Sequence, residues 1–366
     1  MDAEEPTRPP HISGAVGGRD GERQRKRTRS PPYAPFVAEY RPYSSGQLRP
    51  DRVNRYADLH KRQWDLYYRN NTVNGYKDRH YVLREFHELR AAIDAAVAAE
   101  ETPVTAGPSS SSLVAAAAAT SFTWMEAGCG VGNAMLPIFT QYGHLRHWRA
   151  LLGFDISSLA IDLLDKKRVQ LPPELAAKVH LCVLNPSETD VSDCSFFRPA
   201  APAAVTSGAS PSSGGSSSGG VGVGDHTARG VQLPEFVSLI FVLCSIPVSC
   251  HALVLRRIAR CMARPGGVLY FRDYAVSDHA ERRFQSSSHR RLGDDDANGG
   301  GGGANTYVRT NGTLSHFFSV EEVRALFEGA GFDVIALDII DNEVVNRKTS
   351  VAFARRFVQG RFRLSP

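Results

Sequence analysis

Short apolar runs of strand length alternate with stretches whose apolar residues recur every three or four positions, and this alternation governs the chain from about residue 121 to its end. The runs predict strands at Phe122 to Ala127, Ala150 to Ile156, Lys178 to Leu184, Glu235 to Leu243 and Gly267 to Asp273. Helices are expected near Asn133 to Tyr142, Ser157 to Gln170 and His251 to Ala263, so the connections are crossovers and the strands parallel. A last helix, Val320 to Gly329, precedes strand candidates Phe332 to Ile340 and Ser350 to Gln359. Their short polar link favours an antiparallel hairpin. The expected fold class is therefore α/β, a seven-stranded Rossmann-like sheet, mostly parallel, closed by a C-terminal antiparallel pair.

Upstream, from Arg55 to about Glu100, the period is helical, with apolar or aromatic groups at Tyr56, Leu59, Trp64, Leu66 and Tyr67, then Tyr81, Leu83, Phe86, Leu89 and Ile93. Residues 46–102 are read as a helical cap segment, joined by a Ser/Ala linker, 103–120, to the main domain, 121–366. Residues 1–45 are rich in Pro, Arg, Gly and Ser and hold too few large apolar groups to offset the entropy of ordering. They are expected to form a disordered basic tail. Two low-complexity insertions, 198–230 and 285–305, are expected to be floppy.

Composition narrows the function classes only slightly. In 366 residues, 42% hydrophobic, 43 Lys and Arg face 38 Asp and Glu, a net charge of +5 that suits a polyanionic partner without naming one. Arg19, Arg23, Arg25, Lys26, Arg27 and Arg29 crowd one polar stretch, as in a nuclear signal, a nucleic-acid arm or a solvated tail. The six cysteines lack the paired spacing of zinc or redox motifs, so reduced thiols and no metal are expected. No run of eighteen apolar residues occurs. A soluble, intracellular protein with no membrane partner is expected, cytoplasm and nucleus both being open.

The candidate chemistry begins at Glu126-Ala127-Gly128-Cys129-Gly130-Val131-Gly132-Asn133, a glycine-rich turn between a predicted strand and a predicted helix. A dinucleotide fingerprint would place its third glycine where Asn133 stands, and no Gly-x-x-x-x-Gly-Lys-Ser/Thr sequence occurs. Nicotinamide cofactors and NTP hydrolysis are disfavoured. The next strand ends in Gly153-Phe154-Asp155-Ile156-Ser157, which puts an acid at a carboxyl strand tip where ribose hydroxyls would lie. Asp155 is the candidate ribose anchor, although Asp155 with Ser157 could equally cap a helix. Glu126 suits the cationic end of an adenosyl-sulfonium cofactor, or else pairs with an arginine.

Several blocks then resemble the methyltransferase-like enzymes that form 3-methylcytidine in the anticodon loop of transfer RNAs. The resemblance spans about Trp64 to Phe362 and rests first on Tyr76-Lys77-Asp78-Arg79-His80-Tyr81 with Glu85-Phe86 and Leu89, a segment that general methyltransferases lack. Leu239 to Ile246, Pro265-Gly266-Gly267 leading to Phe271-Arg272-Asp273-Tyr274, Tyr307-Val308-Arg309 with Gly312-Thr313, and Val345-Asn346-Arg347 follow in the family's order. The chain departs where the family has an Asp in the third strand, reading Leu181-Cys182-Val183-Leu184-Asn185 instead. Asn185 is the candidate substitute.

The resemblance implies a class I methyltransferase sheet, S-adenosylmethionine as cofactor, and methylation of the cytidine ring nitrogen N3 in tRNA. It implies a cofactor site of Lys77, Arg79, His80, Glu126, Gly128, Gly130, Asn133, Asp155, Ser157, Asn185 and Phe241. At the carboxyl end of the fifth strand, the ligand side of such a sheet, Asp273 is expected to stabilise charge on the attacked ring or accept an amino proton from the base, with Tyr274 stacking on the base and Arg272 holding phosphate or base. Arg309, Arg347, Lys348, Arg355 and Arg356 are the candidate tRNA holders, and an aminoacyl-tRNA synthetase or other accessory protein is left open as a partner. The rival readings are a small-molecule or protein methyltransferase on the same scaffold, or a catalytically silent tRNA-binding scaffold.

Overall fold

The computed structural model describes residues 50–101, 121–198, 232–286, 305–345 and 352–366. The expected tail, the linker, nearly all of both insertions, and Arg347 and Lys348 lie outside the described residues. In chain order come helices α1 (Pro50–Asn71), α2 (Val82–Glu85) and α3 (His87–Glu101), strand β1 (Phe122–Ala127), α4 (Met135–Tyr142), β2 (Trp148–Asp155), α5 (Ser158–Arg168), α6 (Pro173–Ala176) and β3 (Val179–Val183). Then follow β4 (Phe236–Ile240), α7 (His251–Arg260), β5 (Val268–Tyr274), α8 (His279–Gln285), β6 (Thr306–Val308), β7 (Leu314–His316), α9 (Val320–Glu328), β8 (Phe332–Val345) and β9 (Ala352–Leu364).

Seven strands form one sheet in the order β3-β2-β1-β4-β5-β9-β8. The first five are parallel, while β9 is antiparallel to both β5 and β8. The strand order reverses between β1 and β4, which opens a crevice at their carboxyl ends, where ligands of such sheets bind. Every residue of β1 is buried, because apolar layers cover both faces of the sheet. One layer gathers Leu255, Ile258 and Phe327 from α7 and α9; the other gathers Leu89 and Ile93 from α3 with Met135 and Phe139 from α4.

Helices α2 and α3 belong to this second layer, while Trp64 and Tyr68 of α1 pack with Val131 and Ala160. Phe86 stacks on Tyr270 of β5 at 4.3 Å, and the Leu89 N–H donates to the Tyr270 hydroxyl at 2.7 Å. A buried tyrosine needs such a partner for its hydroxyl, so the pair fixes α3 against the sheet in register.

Three elements differ from expectation. The closing strands run on past Ile340 and Gln359: the hairpin continues to Val345 opposite Ala352, and β9 reaches Leu364. Gly360, the residue at which the sequence pattern breaks, stays in the strand because its missing side chain leaves room for the Phe362 ring, 2.4 Å from where a Cβ would stand. The β6–β7 hairpin was not expected, since three-residue strands are too short to show a period. Strand β4 stops at Ile240, ahead of the expected Leu243, because Phe241 takes a left-handed backbone, φ 58°.

Candidate active site

A cavity of about 460 Å³ lies at the carboxyl ends of β1, β2 and β4. Its floor is the glycine turn. Gly128, Gly130 and Gly132 all have positive φ (70°, 52° and 82°), a region costly for residues with a Cβ. Space reinforces the requirement: a Cβ at Gly128 would stand 2.4 Å from Val242 Cγ2, and one at Gly130 would stand 2.5 Å from the Tyr68 hydroxyl.

Asp155 organises this turn. Its Oδ2 accepts from the Gly130 N–H (2.8 Å) and its Oδ1 from the Ser157 N–H (2.9 Å), while burial raises its pKa to about 6. Each oxygen keeps lone-pair capacity toward the cavity that Asp155 lines. Ser157, the alternative helix cap, does cap α5 by accepting from the Ala160 N–H at 3.1 Å. The helix-cap reading of Ser157 therefore holds, and Asp155 lines the cavity beside it.

Glu126 also lines the cavity. It is 4% exposed, its Oε2 has no hydrogen-bond partner, and burial pushes its pKa up to about 8 although the Arg79 charge opposes that. A buried carboxylate with an open oxygen in a cavity fits a cationic ligand group. Arg79 also lines the cavity, with its guanidinium 4.8 Å from the centre of the Phe241 ring and its backbone N–H donating to the Asn133 carbonyl at 2.8 Å. Asn133 returns the contact through Nδ2, which donates to Asp78 at 2.9 Å, so the Tyr76–Arg79 segment is pinned to the end of the glycine turn.

Of the expected cofactor residues, Arg79, Glu126, Gly128, Gly130, Asn133, Asp155, Asn185 and Phe241 line this one cavity. Lys77 and His80 are exposed and do not, and Ser157 acts one step behind it through Asp155. Sequence reasoning missed the roof. His60, Trp64 and Tyr68 line the cavity from one face of α1. Their spacing of four was visible, but a helical aromatic stripe ordinarily marks a core.

The expected catalytic group is arranged otherwise than predicted. Asp273 is fully buried and does not line the cavity; Cys244 N–H and Tyr274 N–H each donate to its carboxylate at 2.9 Å. Burial raises its pKa to about 6. The bond from the Cys244 N–H ties this carboxylate to the turn after β4. Arg272 is 3% exposed, packed between the rings of Tyr81 and Phe357 (4.4 and 4.8 Å), with Nη1 donating to Gln359 at 2.7 Å. Strand alternation puts it inside the sheet layer, where no phosphate reaches.

Tyr274 is half-buried against Phe241 at 5.0 Å, with the guanidinium groups of Arg309 and Arg355 at 5.6 and 5.2 Å from its ring. Arg355 is also paired with buried Asp278 at 2.9 Å, and Arg356 lies 3.6 Å from Asp341. Among the described residues no cluster of His, Cys, Asp and Glu could hold a metal ion, and no helix is long and apolar enough to cross a membrane.

A mostly parallel sheet of this order, closed by an antiparallel strand and carrying a glycine turn and an acidic strand tip at its crevice, defines the class I methyltransferase fold. A family model described as a methyltransferase domain matches residues 78–337, and the chain belongs to that family. A mouse (Mus musculus) protein named tRNA N(3)-cytidine methyltransferase METTL6 is 29% identical over 306 residues, covering 84% of this chain and 81% of the relative. The tRNA N(3)-methylcytidine methyltransferase trm141 of Schizosaccharomyces pombe is 26% identical over 312 residues, 84% of this chain and 94% of its own. The tRNA N(3)-methylcytidine methyltransferase Mettl2 of Drosophila melanogaster is 27% identical over 328 residues, 87% and 76%.

Proposed function

We propose that this enzyme transfers the methyl group of S-adenosylmethionine to the ring nitrogen N3 of cytidine in the anticodon loop of tRNA. The observation that carries the reading is that relatives named for this reaction match 84% of the chain or more, a span too long to omit the α1 roof and the Tyr76–Arg79 segment. A generic methyltransferase likeness would need only the sheet.

Bound in the cavity, S-adenosylmethionine supplies a methyl group already activated for in-line displacement. Glu126 takes its ammonium group and Asp155 its ribose hydroxyls, while Asn185 stands where the third strand ends and receives the adenine edge. Phe241 and Arg79 close the side facing Tyr274 and exclude water. N3 of cytosine carries its own lone pair, so the residues here align the partners and need not generate a nucleophile. Asp273 acts as a positioning residue, holding the Phe241–Ser245 turn through the Cys244 N–H. Asp273→Ala would leave two buried amides unsatisfied, a cost on the order of 1–3 kcal/mol each. We expect a lowered melting temperature together with slower turnover; unchanged stability with lost activity would restore a direct role.

Tyr274 with Arg309 and Arg355 forms a stacking and phosphate-holding surface beside the cavity, and Arg356 extends it. Arg355→Ala would strand buried Asp278 and is a poor probe, whereas Arg356 is exposed and weakly paired. Arg356→Ala is expected to weaken tRNA binding a few-fold and to lower the salt slope by about one ion, with cofactor affinity unchanged. An unaltered slope would remove Arg356 from the RNA path.

The decisive assay incubates pure protein with total tRNA and methyl-labelled cofactor, then identifies the modified nucleoside by mass. Label in 3-methylcytidine is the expected result; cofactor binding with no label in tRNA, but with turnover on an added peptide or metabolite, would replace the substrate, and no cofactor binding at all would favour the silent scaffold. Adding an aminoacyl-tRNA synthetase to the same assay tests the accessory partner.

A further inference from the structure

One polar chain crosses from the roof of the cavity to its floor. Asp65 on α1 accepts from the Ser157 hydroxyl at 2.6 Å and from the Leu159 N–H at 3.4 Å. The Ser157 N–H donates to Asp155 Oδ1, whose partner oxygen accepts from the Gly130 N–H. Asp65 is the residue after Trp64 and three before Tyr68, two of the roof groups, and the Tyr68 hydroxyl stands against Gly130. The carboxylate at the ribose end of the site is therefore oriented by the same serine that ties the roof helix down.

We propose that Asp65 is a positioning residue that latches α1 over the cofactor and, through Ser157, sets the Asp155 carboxylate for the ribose. The inference rests on the adenosyl-cofactor reading of the cavity and is independent of which RNA base is methylated. Serine alone would cap α5 without any contribution from α1, since its oxygen already accepts from the Ala160 N–H. The hydroxyl proton needs an acceptor, and Asp65 supplies a charged one from the roof. A charge-assisted hydrogen bond of this kind is worth roughly tenfold to a hundredfold in an equilibrium.

The test is calorimetric titration of the full chain with S-adenosylhomocysteine, which reads the pocket without tRNA or turnover. Asp65→Ala is expected to weaken binding by about tenfold or more. Asp65→Asn, which keeps an acceptor oxygen for the serine but not the charge, is expected to bind more weakly than the parent and more tightly than Asp65→Ala. Ser157→Ala should match Asp65→Ala, and the double variant should be no weaker than either single one, because both remove the same link. Parent-like affinity in Asp65→Ala, an Asn variant as weak as the Ala one, or additive losses in the double variant would each overturn the latch. Should Asp65→Ala fail to fold, the comparison of Asp65→Asn with Ser157→Ala decides the same question. A parent chain that binds no S-adenosylhomocysteine would instead sink the cofactor reading, and the two failures are distinct.

Discussion

Glu126→Gln is expected to lower affinity for S-adenosylmethionine by about 10- to 100-fold at pH 8.5, the loss of one charge-assisted hydrogen bond in a buried setting. The parent chain has a pH profile that the variant should lack. Its Glu126 carboxyl, raised to about 8 by burial, is largely neutral at pH 7 in the empty cavity and must lose its proton to meet an ammonium group. Affinity therefore rises with pH up to about 8. A glutamine cannot titrate, so its profile is flat through that range.

The same proton sets stability in the opposite sense. Between the ordinary value of 4.5 and the folded value of about 8, the folded chain holds a proton that the unfolded chain has released. Stability of the empty protein must then fall as pH rises through this window and level off above it. Asp155 and Asp273, each raised to about 6, add the same trend at lower pH. Between pH 6 and 8 Glu126 lowers stability as pH rises while Cys182, its thiol lowered to about 6, raises it, so the Gln variant should differ from the parent by the Glu126 part of the slope in a series of thermal melts. A variant that keeps both the parent slope and the parent affinity profile would show that Glu126 is a structural acid satisfied by Arg79.

The parts of this architecture that sequence made legible are those where one local requirement dominates. Strand β1 was placed to the residue because it is buried on both faces and its apolar Phe122, Trp124, Met125 and Ala127 end at the glycine turn. The glycine turn and Asp155 were legible because a positive φ and an acid at a strand tip each leave a residue-type signature. Long-range packing leaves no such signature. The His60-Trp64-Tyr68 roof has the spacing of any amphipathic helix, and only the fold shows that its stripe faces a cavity in place of a core. Asp273 is a related case: a polar residue at the carboxyl end of a strand suggests chemistry, and only the fold shows it buried behind the cavity lining with two backbone amides on its carboxylate. Arg272 shows the limit of charge as a guide, since a guanidinium between two rings is as well satisfied inside the protein as on RNA.

Gly130→Ala should abolish measurable cofactor binding, and its rescue is as informative as its failure. Two separate costs act at this position. A Cβ at φ 52° is strained by roughly 1–2 kcal/mol in any surroundings, and here it would also meet the Tyr68 hydroxyl at 2.5 Å. Tyr68 is buried and belongs to the roof, so relief must come either from lifting α1 or from distorting the turn that presents the Gly130 N–H to Asp155. Each route opens the ribose end of the site. Removing the hydroxyl separates the two costs, because the next nearest ring atom, Tyr68 Cζ, lies at 3.5 Å, an ordinary contact. Tyr68→Phe combined with Gly130→Ala should therefore recover binding to within about tenfold of the parent, the residue of backbone strain alone. Equal weakness of the single and double variants in a calorimetric titration would mean that the backbone conformation, and not the roof contact, decides the fit. Binding by Gly130→Ala at parent strength would mean that the cofactor does not use this turn.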